Sequence, residues 1–96
     1  MRKLAAPIKD LPRTLKRLQE RGASLATVAL LVPDPAWTLY ELEAAGAEVG
    51  RKLMEVMAAA EGVGRFDIAK EARDSADLMQ AMIDRVQPRL TAFRPL

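Results

Sequence analysis

Asp67, Glu71 and Asp74 recur at spacings of four and three residues, with Asp77 just beyond them. On a helix that spacing lines carboxylates along one face, where they could hold a hard cation or act as an acid–base pair. Such sites, however, are usually built in loops or from carboxylates converging from several helices. Here Lys70 and Arg73 are interleaved, setting up Lys70–Asp74 and Arg73–Asp77 pairs at i, i+4, and Glu48–Lys52 and Arg51–Glu55 repeat the arrangement upstream. A salt-laced solvent face is expected rather than a metal site. The 96 residues include no histidine and no cysteine. That removes the usual zinc, haem and iron–sulfur ligands together with every imidazole or thiol catalyst. No nucleophile stands beside a base, and no glycine loop is spaced to cradle a phosphate. The chain is therefore expected not to be an enzyme, to carry no cofactor or metal, and to have no small-molecule substrate.

A second set of charges is cationic. Arg13, Arg17 and Arg21 fall at i, i+4, i+8, with Lys9 and Lys16 nearby. Residues 1–24 carry a net charge of +5, residues 25–64 one of −4 and residues 65–96 one of +1, within a total of +2. A basic head and an acidic middle admit two readings: the head lies against the middle, or it meets an external anion, either an acidic protein or nucleic-acid phosphates. No aromatic side chain is interleaved with these bases, which disfavours single-strand binding by stacking.

The residues that follow, GASLATVALLV, resemble the turn and reading helix of the bacterial helix-turn-helix regulators. Gly22 stands at the turn, Ser24 at the cap, Thr27-Val28 where those motifs often carry that pair, and Leu31 at a buried position. The resemblance covers Arg13 to Val32 and implies DNA binding. The chain departs from the pattern where reading would occur. Base edges in the major groove are contacted by Arg, Lys, Asn or Gln, whereas the outward positions here are Leu25, Ala26, Ala29 and Leu30, with Thr27 the lone polar side chain. A helix apolar all round reads as a core helix.

These residues need elements to position them, and the punctuation supplies helices only. No segment alternates with period two. Pro12 and Gly22 bound a helix over about 12–21, and Ser24 and Pro33 one over about 25–32. Asp34-Pro35 opens a long helix over about 35–61, closed by Gly62-Val63-Gly64; Asp67 caps another over about 67–87 that ends before Pro88. The fold class is all-α: an antiparallel hairpin of the two long helices with the two shorter N-terminal ones packed on it. One domain spans 1–96, with residues 1–10 and 94–96 as flexible ends.

The long helices carry matching seams. Leu39, Leu42, Gly46, Val49, Leu53, Val56 and Ala60 alternate spacings of three and four, as do Ile68, Ala72, Ser75, Met79, Met82 and Val86. This is the repeat of helices crossing near +20°. A short loop makes the pair antiparallel, with Ala60 opposite Ile68, Gly46 opposite Met82 and Leu42 opposite Val86. Beside each seam runs a second apolar stripe: Tyr40, Ala47 and Met54 on one helix, Ala69, Ala76, Ile83 and Leu90 on the other. Two helices in contact do not need faces this wide. Either the N-terminal helices or a second copy of the hairpin must cover them, and a homodimer is the preferred expectation. Gly50 completes a GxxxG with Gly46, and Trp37 with Tyr40 could anchor an interface. The candidate interface is therefore Trp37, Tyr40, Ala47, Gly50, Met54, Ile83 and Leu90. The expected partner is a protein, first of all a second copy, with a nucleic acid contacted by the basic helix as the alternative. The basic opening has no apolar run behind it and Leu25 to Val32 is too short to span a bilayer, so no membrane partner and a cytoplasmic location are expected.

Overall fold

The computed structural model describes residues 10–31 and 36–92. Within them the chain is three α-helices and no strand: α1 (Leu11–Leu31), α2 (Ala36–Gly62) and α3 (Phe66–Thr91). The expected cap at Asp34, the ends 1–9 and 93–96, and with them Lys9 and Phe93, lie outside the described residues. None of the described helices is long and apolar enough to cross a membrane.

The all-helical class and the long hairpin stand; the division of the N-terminal part into two helices does not. Gly22 and Ser24, read as a stop and a cap, both lie inside the unbroken α1. Gly22 is buried there, and a Cβ on it would lie 3.0 Å from Cε and 3.2 Å from Sδ of Met79. Its bare Cα lets α1 approach α3, a packing role that overrides the residue's poor local propensity. No turn separates two helices at this point, so the helix-turn-helix arrangement is absent. The true start of α1 is one residue upstream of expectation. Asp10, at φ +57°, accepts the Arg13 N–H on its carboxylate at 3.4 Å, while its carbonyl takes the Thr14 N–H at 3.0 Å.

The hairpin turn is a Schellman closure. Arg65 N–H bonds to the Ala60 carbonyl at 2.8 Å, Gly64 N–H to that of Glu61 at 3.1 Å, and Gly64 takes φ +76°. Asp67 is not the cap of α3: Arg65 holds that position, without a capping hydrogen bond from its side chain. Asp67 sits in the first turn, where negative charge suits the helix dipole, and accepts Nε and Nη2 of Arg65, both at 3.2 Å. At the other end Pro88 does not stop α3, which continues to Thr91. A proline this near a C-terminus removes one hydrogen bond. Contacts beyond it hold the last turn: Leu90 is buried, and Arg89 donates to the Ala29 carbonyl at 2.8 Å. That carbonyl is one of the last four of α1, so a side chain of α3 caps the end of α1.

All seven seam residues of α2, Leu39 through Ala60, are buried. On α3 Ile68, Ala72, Met79, Met82 and Val86 are buried as expected, whereas Ser75 is only half-buried and accepts a bond from Gln19 Nε2 at 3.1 Å. Gly46 faces Met82, whose Cε occupies the space a Cβ would need. α2 and α3 share the most extensive contact, and α1 lies along both. Gln19–Ser75, Gly22–Met79 and Ala29–Arg89 step in the same direction, so α1 runs parallel to α3. Among the described residues no charged or polar side chain is buried.

Candidate functional site

Which side of the hairpin α1 occupies decides what remains to act. On α3, Ser75, Leu78, Met79, Met82 and Arg85 face α1 across a shared hollow. Ile83 is five residues from Leu78, which turns its direction by about 140°. Ala76, Ile83 and Leu90 therefore point to the flank that α1 does not cover. There α2 presents Tyr40, Ala47 and Met54: Tyr40 is 52% and Met54 46% exposed, and Ala47 is exposed too. Gly50 and Ile83 are half-buried. Of the expected interface set, Leu90 is largely spent inside the chain, at 6% exposure, showing only at a small hollow with Tyr40, Glu43, Gln87 and Thr91. Trp37 is 66% exposed, so it forms no buried plug at the open end of the hairpin.

The two glycines of the GxxxG differ. Gly46 is occupied from within by Met82 and Ile83. Around Gly50 the nearest atom to a Cβ would be Met79 Cβ at 3.8 Å, an ordinary contact, so nothing among the described residues requires a glycine there.

The basic stripe lies on the exposed side of α1, with Arg13, Lys16, Arg17 and Arg21 all at the surface. Arg13 is paired with Asp10 at 3.2 Å. Arg21 reaches the field of Glu48 on α2, whose carboxyl is held below its ordinary pKa first by the Lys52 ammonium at 3.2 Å and more weakly by Arg21 and Arg51. Of the expected surface pairs, Glu48–Lys52 and Lys70–Asp74 form, both at 3.2 Å, while Arg51–Glu55 and Arg73–Asp77 do not. Such exposed pairs contribute little to stability. No group of three or more acidic side chains among the described residues is placed to hold a metal.

The second half of α1 corrects one expectation. It is not a core helix: Ala29 is buried, but Val28, Leu30 and Leu31 are 43%, 67% and 74% exposed. Leu30 and the 68% exposed Leu78 edge the hollow between α1 and α3, about 390 Å³ in volume. Nothing in the sequence alone signals this groove, because it depends on which flank of the hairpin α1 takes. No family, curated protein or solved structure matches the chain.

Proposed function

We propose that this protein works by binding protein rather than by catalysis, and that the first occupant of its uncovered hairpin face is a second copy of itself. The carrying observation is the placement of α1 on one flank, which leaves Tyr40, Ala47 and Met54 exposed beside Ile83 on the other. An apolar strip of this kind on a helical pair is the surface that completes a four-helix arrangement. Gly50, which the packing of the described residues does not require to be glycine, marks where a partner helix can come close. Aromatic and methionine side chains are the types enriched at such contacts. An adaptor, an inhibitor or an assembly factor would use a surface of this chemistry.

The alternative, phosphate contact by the α1 stripe, is weakened by internal pairing. Arg13 is engaged by Asp10, and Arg21 adds weakly to the positive field that lowers the pKa of Glu48. The solution mass of the chain, and its response to a charge placed at Met54, tests the proposal.

A further inference from the structure

We propose that the groove between α1 and α3 binds an anionic amphiphile, a single acyl chain with a carboxylate head, independently of the hairpin face. Its walls are unusually small: Ala23 and Ala26 on α1 and Ala81 on α3 leave the hollow, and Met79 and Met82 line it. Methionine thioethers adapt to a slim, flexible ligand better than branched side chains do. The volume of about 390 Å³ falls in the range of small-molecule sites. A partner helix, about 10–12 Å across with its side chains, could lie over such a groove but not enter it.

Polar groups stand at the two ends. The Gln19–Ser75 hydrogen bond at 3.1 Å closes one end. From Gln19 to Leu30 the groove follows eleven steps of helix, about 16 Å, the reach of a medium-length acyl chain. Near the other end is Arg85, the only charged side chain in the lining, exposed and making no ion pair among the described residues. Among the described residues no carboxylate lines the groove. The carbonyl end of α1 would repel an anion here, but Arg89 already answers the Ala29 carbonyl at 2.8 Å. An apolar slot with one cation at its mouth selects for a chain with a negative head.

Titration of the full chain with 11-(dansylamino)undecanoate, kept below micelle-forming concentrations, tests this. Saturable fluorescence enhancement is expected, reversed by laurate at concentrations about tenfold lower than by dodecanol or dodecyltrimethylammonium. Arg85→Glu should weaken laurate about tenfold or more, and Ala23→Phe, at an exposed wall position, should abolish probe binding with helicity unchanged by circular dichroism. Met54→Lys, on the opposite flank, should leave binding intact, so loss of self-association and loss of the ligand site are read separately. If Ala23→Phe unfolds the chain, Arg85→Glu alone decides. Absent probe binding, equal displacement by all three head groups, or an unchanged laurate affinity in Arg85→Glu would overturn the proposal.

Discussion

Met79 of α3 lies over the bare Cα of Gly22 in α1, so close that a Cβ there would meet its thioether at 3.0–3.2 Å. This one relationship explains why α1 runs through a residue that reads locally as a stop. It also fixes α1 on the flank that leaves Tyr40 and Met54 uncovered.

Gly22→Ala should be close to neutral. The alanine gains up to about 1 kcal/mol of helix propensity, and the flexible end of Met79 has to yield by only a few tenths of an ångström. Gly22→Leu should cost about 1–3 kcal/mol, because the added branch drives α1 away from α3. Urea unfolding followed by circular dichroism measures both, and a stable Gly22→Leu would mean that α1 does not dock there.

Gly50→Ala separates the chain from its assembly. Among the described residues of one chain the new methyl meets only Met79 Cβ at 3.8 Å, so the isolated protomer should gain up to about 1 kcal/mol. The dimer should weaken, because the methyl blocks the approach of the second helix. A dilution series of thermal melts should show the variant more stable at low concentration and losing that advantage as concentration rises.

Arg89→Met should lower stability by about 1–2 kcal/mol, removing a charge-assisted bond to the Ala29 carbonyl while keeping most of the aliphatic stem. The loss should appear first in the last turns of α1, as faster amide exchange near Leu30 and Leu31.

Stability should be nearly flat from about pH 5.5 to 8.5, since the chain has no histidine. Glu48 and Asp67 are held below their ordinary carboxyl values, chiefly by hydrogen bonds from Lys52 and Arg65 respectively. Their contribution is complete above the unfolded-state pKa and is lost as pH falls through the folded-state value. A small decline confined to the acid side of about pH 4.5 is expected in a pH series of thermal melts. A transition near neutrality would contradict it.

The helices were legible where periodicity is long. All seven α2 seam residues, from Leu39 to Ala60, follow alternating steps of three and four, and burial obeys them. Local punctuation misled where a tertiary contact outweighed it. Gly22 reads as a stop until Met79 is seen above it, and Pro88 reads as an end until Leu90 and Arg89 are seen anchored beyond it. The cap at Asp10 is masked in the sequence by the proline at residue 12, which places the boundary further in. The apolar run after Gly22 carries no period that says which of its leucines face water, so Leu30 and Leu31 looked like core.

The α1 stripe should not retain duplex DNA, even at about 50 mM salt where phosphate contacts are strongest. Replacing Arg13, Arg17 and Arg21 by glutamate should leave a mobility-shift assay unchanged. Retention that those substitutions abolish would move the function to nucleic acid.

The mass of the chain in solution bears most directly on the central claim. Light scattering coupled to size exclusion, at tens of micromolar, should give about twice the 10.6 kDa of one chain. Met54→Lys should return it to the single-chain value while keeping the helical content. A wild-type mass at 10.6 kDa would contradict the account.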